Sequence, residues 1–145
     1  MTISLLKKTA AIALLLVPGM FFSLALTPAQ AADKPQSFDQ QSARQVYQLS
    51  LRPSAPPVQI GKIHSWDLTV KNQQGQPVHN ARISIDGGML HHGHGLPTKP
   101  RATPQDEPGL YRLEGMKFSM DGAWVIDLVI TVNGLTDSAR FNLNL

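Results

Sequence analysis

Apolar and polar residues alternate along most of the chain beyond residue 43. The alternation has a period of two residues, which is typical of half-buried antiparallel strands, and no stretch shows a convincing helical period. Clusters of glycine and proline separate the alternating segments, and Asp86-Gly87-Gly88 is expected to end the third of them. Strands are therefore predicted over residues 47–52, 64–70, 81–85 and 110–114.

The C-terminal segment predicts a β-hairpin with a defined register. Asn133-Gly134 lies between two alternating runs, and this dipeptide is the strongest short-range signal for a two-residue hairpin loop. Counting outward from the loop gives pairs of residues that share one side of the sheet, because directly opposed residues share a face. The pairs are apolar except where Asp137 interrupts them: Val132–Leu135, Ile130–Asp137, Leu128–Ala139, Ile126–Phe141 and Trp124–Leu143.

About seven short strands, with turn signals every ten or so residues, indicate an all-β, immunoglobulin-like antiparallel β-sandwich. A small β-barrel is the alternative. The segment from Leu96 to Gly109 contains four prolines, which preclude a central strand, and it is expected to cross the end of the sandwich. Residues 44–145 are assigned to this domain, and the polar stretch 32–43 is assigned to a disordered tether.

The N-terminus has the pattern of a cleavable secretory signal peptide over residues 1–31. Lys7-Lys8 precedes an apolar run from Thr9 to Leu26, and Ala29-Gln30-Ala31 offers small residues at both cleavage positions. An uncleaved anchor is the alternative, since the run is about long enough to cross a bilayer. With cleavage, the mature chain is expected to be a soluble periplasmic or secreted protein that has no membrane span.

Charge and cysteine content narrow the classes of function. Residues 1–31 contain two lysines and no acidic residue, so the mature chain carries eleven basic and ten acidic residues. A net charge so close to zero does not indicate nucleic-acid binding. The chain has no cysteine, so no disulfide supports the fold in an oxidising compartment. An ordinary apolar core must hold the mature domain, which is long enough to bury one.

One stretch of the mature chain concentrates side chains that could hold a soft metal. Residues 88–95 (GMLHHGHG) contain three imidazoles and a thioether, and two further methionines lie four residues apart in residues 115–122. Imidazole and thioether hold copper where no thiolate is available. If the backbone is extended, His92 and His94 point the same way and His91 points the opposite way, which favours the first two as a pair. The sequence therefore predicts a copper site with the candidate ligands His92, His94, Met120, Met89, His91 and Met116.

These side chains also have a structural interpretation. The histidines could hydrogen-bond backbone carbonyls and close a glycine-rich corner, and Met120 could fill a gap in the core. His64 shares a strand face with Trp66 and is expected at the edge of the core. An enzyme is not predicted, because the sequence contains no nucleophile elbow, phosphate loop or dinucleotide motif.

Three blocks of sequence resemble the YtkA-like and FixH-like family. They are residues 89–98 (MLHHGHGLPT), 108–111 (PGLY) and 115–124 (GMKFSMDGAW), and the resemblance extends from about Leu49 to Leu145. It implies a small extracytoplasmic domain with an immunoglobulin-like sandwich fold and an association with copper handling. FixH-like domains usually keep a membrane anchor, whereas this leader carries a cleavage motif. The family pattern, which is not firmly histidine at position 91, falls on His92, Gly93, His94, Gly95, Pro97, Thr98, Tyr111, Gly115, Phe118, Met120, Gly122 and Trp124.

Two functions remain open at the level of the sequence. The first is an extracytoplasmic protein that binds copper and exchanges it with a donor or acceptor protein. The second is a metal-free interaction or accessory module that binds a protein partner through a sheet edge or through the proline-rich segment. In favour of the second, residues 70–85 resemble the Gly-x-Pro-x-x-x-Ala turn of transthyretin-like and carboxypeptidase-regulatory modules, which are commonly accessory domains.

Overall fold

The computed structural model describes residues 37–145, so the predicted signal peptide and the first part of the predicted tether lie outside the described residues. The described residues form nine strands and one short 3₁₀ turn. The strands are β1 Phe38–Gln41, β2 Tyr47–Pro53, β3 Ile63–Asn72, β4 Arg82–Met89, β5 His94–Gly95, β6 Arg101–Pro104, β7 Leu110–Lys117, β8 Ala123–Val132 and β9 Leu135–Asn144, and the 3₁₀ turn is Leu90–His92.

The strands form two antiparallel sheets that pack on one apolar core. One sheet has the order β1-β2-β3-β7-β6, and the other has the order β5-β4-β8-β9. Neither sheet closes on itself, so the predicted β-sandwich is confirmed and the barrel alternative is wrong. The structure has nine strands where the sequence predicts about seven, because the short edge strands β1, β5 and β6 show no clear alternation of their own.

The β8–β9 hairpin has the predicted register. All five predicted pairs are directly opposed, from Val132–Leu135 at the loop to Trp124–Leu143 at the far end. Asn133 and Gly134 have φ angles of 50° and 82°, as a two-residue loop of this kind requires. The turn chemistry and the apolar pattern therefore select the same register, and this register places one face of the hairpin in the core.

Two tryptophans, one from each sheet, pack in the core. Trp66 and Trp124 are 0% and 1% exposed, and Phe118 lies between them with its ring edge-on to both. Such edge-to-face contacts each contribute about 0.5–1.5 kcal/mol beyond the burial of apolar area. The Trp124 indole N–H also donates to the carbonyl of Met120 at 2.9 Å. Together, Phe118 and Trp124 fix the β7–β8 loop to the core.

Strand β4 continues through the glycines that the sequence predicts as its end, so that prediction is wrong. Gly87 and Gly88 stay in register with β8. A Cβ at Gly87 would lie 2.2 Å from the carbonyl oxygen of Val125, and one at Gly88 would lie 2.0 Å from that of His94. The glycines therefore allow close approach of the neighbouring strands. As a result, β4 carries Met89 to the end of the sheet, and the histidine segment begins directly after it.

Strand β1 falls within the predicted tether, so residues Phe38–Gln41 of that stretch form a strand. This strand pairs with β2, and the segment that follows it covers the free edge of β9. That edge would otherwise present a row of unpaired carbonyls to solvent. The side chain of Gln40 donates to the carbonyl of Arg140, and the backbone N–H of Ala43 donates to the carbonyl of Ser138. The guanidinium of Arg44 donates to the carbonyl of Thr136.

The proline-rich segment passes from one sheet to the other. The backbone N–H of Leu96 bonds to the carbonyl of Gly87 on the four-stranded sheet at 2.9 Å. The hydroxyl of Thr98 donates to the carbonyl of Gly115 on the five-stranded sheet at 2.6 Å. The chain then forms β6, an edge strand that ends at Pro104. The prediction of no central strand here is confirmed, and the edge position agrees with the tolerance of sheet edges for proline.

Candidate metal site at the histidine end

The connections of the sandwich lie at two opposite ends. Strands β4 and β7 end where β3 and β8 begin, so the connections 54–62, 90–100 and 118–122 share one end. We call this the histidine end. The connections 42–46, 73–81, 105–109 and 133–134 share the other end, which we call the hairpin end. All six candidate ligands lie at or next to the histidine end.

The histidine segment is a tight reversal of the chain. His91 and His92 belong to the 3₁₀ turn, which ends at Gly93 in the left-handed conformation with φ 65°. His94 then begins β5 and pairs with Met89 across the reversal. The backbone is therefore not extended from His91 to His94, which was the condition for favouring His92 and His94 as a pair. The favoured pair nevertheless comes together, because the reversal at Gly93 brings the rings of His92 and His94 face to face.

The His92 and His94 rings have a separation that suits a shared ligand. Their centres are 6.2 Å apart and their planes differ by 9°. A metal–imidazole bond is about 2.0–2.1 Å long, so two rings that bind one ion have centres about 5–6.5 Å apart. Both side chains are exposed, so they can rotate to aim their nitrogens without moving the core. As placed, the parallel rings do not aim their nitrogens at one point, so both side chains would have to rotate to bind one ion.

The imidazoles of the three histidines in this segment are not held by hydrogen bonds. All three are exposed, and none of their imidazoles makes a hydrogen bond or an ion pair to any part of residues 37–145. The interpretation of these rings as hydrogen-bonded corner pieces is therefore wrong. His64 is different, because it is half-buried and its Nε2 lies 2.6 Å from the carbonyl oxygen of Gln59. The predicted place of His64 at the edge of the core is confirmed.

The methionines divide into two buried side chains and an exposed one. Met89 and Met116 are 3% and 0% exposed, so their thioethers pack within the core. Met120 is 41% exposed, and the interpretation of this side chain as a core filler is wrong. A Cβ at Gly122 would lie 3.0 Å from Cε of Met89, so the absence of a side chain at Gly122 makes room for Met89. Met89 thus contacts the loop that carries Met120 and is also the strand partner of His94.

The donor groups of the histidine end do not form a closed metal cage. Across residues 37–145, no three histidine, cysteine, aspartate or glutamate side chains are grouped so that they could hold a metal ion. The arrangement offers two exposed imidazoles, with the exposed thioether of Met120 on a neighbouring loop. Chemically it suits an open, low-coordination site for a soft ion, because imidazole and thioether are ligands for such ions.

The sequence did not indicate which residues support this segment. Gly88 permits the close approach of β5, and Thr98 ties the returning chain to the opposite sheet. The only sequence signal for the role of Gly88 is its place directly before the histidine run. Thr98 and Gly115 both belong to the family pattern, but the sequence does not show that they are partners, because they are 17 residues apart.

The fold and this end define a small β-sandwich domain with an exposed histidine turn. The chain belongs to the YtkA-like family, whose model matches residues 41–129, and it is therefore a domain of the extracytoplasmic type. No curated protein and no solved structure matches the chain significantly. Within residues 37–145, no helix has the length and apolar character needed to cross a membrane.

Proposed function

We propose that this protein binds copper outside the cytoplasm and exchanges it with a donor or acceptor protein. The observation that carries the proposal is the pair His92 and His94, whose parallel rings lie 6.2 Å apart, exposed and without hydrogen bonds. Free imidazoles at this spacing on a tight turn form an entry point for an ion. An open site of this kind suits transfer between proteins better than storage or catalysis, so we also propose that the protein is not an enzyme.

Met120 is the thioether that best complements the two imidazoles. Its side chain is exposed, and its loop contacts Met89, the strand partner of His94. A thioether ligand favours Cu(I) over Zn(II). Met89 would need to leave its core position to bind, and Met116 lies too deep in the core to take part. His91 lies within the 3₁₀ turn and has no facing ring, so its contribution is expected to be smaller.

A Cu(I) titration of the exported protein tests the proposal. Replacing both histidines (His92→Ala with His94→Ala) should lower the affinity at least about tenfold, because two of the ligands are lost. The matched control is His79→Ala, which removes an exposed histidine at the hairpin end and should leave the affinity unchanged. Copper binding by the double variant at wild-type affinity would contradict the proposal and favour a metal-free interaction module.

The role of the thioether has its own test. Met120→Leu should weaken binding of Cu(I) and leave binding of Zn(II) unchanged, because zinc prefers nitrogen, oxygen and thiolate ligands. Met116→Leu is the control, since it changes a buried methionine with nearly the same volume. Acidification to about pH 5 should weaken binding of both ions, because only a neutral imidazole binds a metal. Equal loss of Cu(I) and Zn(II) affinity in Met120→Leu would remove the thioether from the site.

The shape of the turn can be tested without touching a ligand. In Gly88→Ala the new Cβ would collide with the carbonyl of His94, so β5 must shift and the histidine rings must separate. In Gly95→Ala the new Cβ would meet only the carbonyl of Gly87 at 3.7 Å, an ordinary contact. We expect Gly88→Ala to weaken Cu(I) binding and Gly95→Ala to preserve it. Equal affinities in the two variants would show that the reversal at β5 does not matter for binding.

Export is part of the proposed function. Because Ala29 and Ala31 flank Gln30, we expect cleavage after residue 31 and a mature N-terminus at Ala32. An intact-mass measurement on the exported protein checks this. A full-length mass in the membrane fraction would instead indicate a retained anchor.

A further inference from the structure

Three large apolar side chains are exposed at the histidine end. Ile63 is 69% exposed at the start of β3, Leu90 is 61% exposed in the 3₁₀ turn, and Met120 is 41% exposed in the β7–β8 loop. They come from three separate segments, and the strand directions place all three at the same end. Single exposed apolar side chains are common on protein surfaces, but several at one place indicate a binding surface. The histidine end is therefore an apolar tip.

Lysines surround this apolar tip. Lys62 precedes Ile63, Lys117 is the strand partner of Ile63, and Lys99 lies in the segment that follows the histidines. None of the three forms an ion pair with another group in residues 37–145. Asp121 is the acidic side chain of the 118–122 loop, so the three connections carry an excess of positive charge.

The hairpin end does not share this excess of positive charge. Its connection between β6 and β7 carries Asp106 and Glu107, and Arg44 lies beside the buried carboxylate of Asp137. The exposed leucine at that end is Leu135, at 47%. With Lys71 and Arg82 at the strand ends, the basic residues of the hairpin end balance its acidic residues, so the excess of positive charge lies at the histidine end.

We propose that the histidine end docks on the surface of an anionic lipid bilayer, with Ile63 and Leu90 entering the headgroup region and the lysines contacting lipid phosphates. Aliphatic side chains combined with lysines are the pattern of peripheral membrane binding. Protein interfaces, in contrast, are depleted in lysine and have a continuous apolar centre. Here each apolar residue stands next to polar neighbours, as in Lys62-Ile63-His64 and Ser119-Met120-Asp121. The proposal concerns surface binding without a membrane span and does not depend on a bound metal.

Sedimentation with lipid vesicles tests the proposal on the exported, metal-free protein. Vesicles of phosphatidylcholine with about a quarter phosphatidylglycerol should bind it, and pure phosphatidylcholine vesicles should bind it much more weakly, by about fivefold for each lysine that reaches the surface. Raising the salt from about 0.1 M to about 1 M should release most of the protein, because the screening length falls from about 10 Å to about 3 Å. Equal binding to both kinds of vesicle would overturn the lysine part of the proposal.

Matched serine variants locate the docking surface. Leu90→Ser and Ile63→Ser should each lower binding to the anionic vesicles about tenfold, because each removes an apolar side chain from the interface. Leu135→Ser and Val129→Ser remove leucine and valine side chains that are 47% and 43% exposed elsewhere on the domain, and should leave binding unchanged. Circular dichroism of all four variants shows whether each one is folded.

Two outcomes would overturn the proposal. The first is equal loss of vesicle binding in Leu90→Ser and Leu135→Ser, which would mean that no particular end docks. The second is failure of the folded wild-type protein to bind anionic vesicles at low salt. In that case the histidine end would be expected to bind an acidic protein surface instead. Neither outcome bears on Cu(I) affinity, so the test is independent of the proposed function.

Discussion

The two ends of the sandwich share the same sheets but differ in the polar side chains that they leave without a hydrogen bond. At the hairpin end, side chains hydrogen-bond the backbone of the connections. The hydroxyl of Tyr111 bridges the carbonyl of Val78 and the N–H of Ala81. The amide oxygen of Asn72 accepts from the N–H groups of Gln74 and Gln76. The carboxylate of Asp137 accepts from the N–H groups of Arg44, Val46 and Ser138. At the histidine end, the side chains of His64, Thr98 and Trp124 also bond the backbone. The exposed imidazoles of His91, His92 and His94, in contrast, make no such bond within residues 37–145.

This difference separates stability from binding. A polar group that is bonded within the protein stabilises the fold, but it is no longer free to bind a ligand. A polar group left free in solvent contributes little to the fold and remains available. We therefore expect substitutions at the hairpin end to change stability, and substitutions of the histidines to change binding alone.

The largest effect on stability is expected in the core, which both ends share. Phe141 is 2% exposed and directly opposes Ile126. Phe141→Ala should lower the free energy of unfolding by about 3–5 kcal/mol, because it leaves a cavity in the shared core. Asn142→Ala, the adjacent residue on the exposed face, should cost less than about 1 kcal/mol. Denaturant melts measure both, and similar losses would mean that the hairpin register is wrong.

The next largest effect is expected at the hairpin end. Asp137 is 4% exposed, and its carboxylate accepts hydrogen bonds from the backbone N–H groups of Arg44, Val46 and Ser138. Asp137→Ala leaves these donors without their partner, which costs on the order of 1–3 kcal/mol. Asp106→Ala, at an exposed acidic residue of the same end, should cost less than about 0.5 kcal/mol. A loss at Asp137 as small as that at Asp106 would contradict the view that this end supports the fold.

Acid should weaken the hairpin end through the same carboxylate. Burial acts to raise the pKa of Asp137, but hydrogen bonds from the side chain of Ser42 and from backbone N–H groups outweigh burial and hold the pKa below its ordinary value. The unfolded chain then takes up the proton more readily. The stabilisation is therefore fully present above about pH 4, and it is lost as the pH falls through the lower, folded-state pKa. In urea melts, wild type should lose more stability in acid than Asp137→Asn, and equal losses would contradict this assignment.

The smallest effect on stability is expected at the histidine end. The double variant His92→Ala with His94→Ala removes two exposed rings that make no hydrogen bond within residues 37–145. Its free energy of unfolding without metal should stay within about 0.5 kcal/mol of wild type. A thermal melt in the presence of a chelator measures this. Unfolding of the double variant would show that the histidines support the fold. It would contradict the view that the two ends differ in their contribution to stability.

The features that the sequence predicts well are those set by local chemistry. Asn133-Gly134 requires a particular turn, and the turn fixes the register of every pair in the hairpin. The alternation from Trp66 to Val70 likewise gives the buried face of β3 directly. Edge strands such as β1 and β5 were not predicted, because they are defined by the strand beside them. The end of β4 was misplaced for the same reason, since its glycines serve close contact with neighbouring strands.

The candidate site was harder to predict, because an irregularity in the alternation of β7 decides whether Met116 is buried or exposed. The alternation through Tyr111 and Leu113 would place residue 115 in the core and Met116 in solvent. The register shift between His64 and Ser65 leaves Gly115 as an extra residue, so Met116 turns inward instead. The sequence alone gives the ligand types and the favoured histidine pair. The bulge, which depends on pairing between distant strands, determines that Met116 is buried.

The covered edge of β9 has a consequence for how the chain escapes aggregation. A ten-residue edge strand is a template on which another chain can add, and strand addition is a common route to insoluble polymers. Here Gln40, Ala43 and Arg44 occupy the carbonyls at positions 140, 138 and 136. When a chain emerges N-terminus first, its early segments are available before its last strand is complete. The segment that covers the edge of β9 is therefore synthesised before β9. The edge of β9 is then exposed only briefly, so another chain has little time to pair with it.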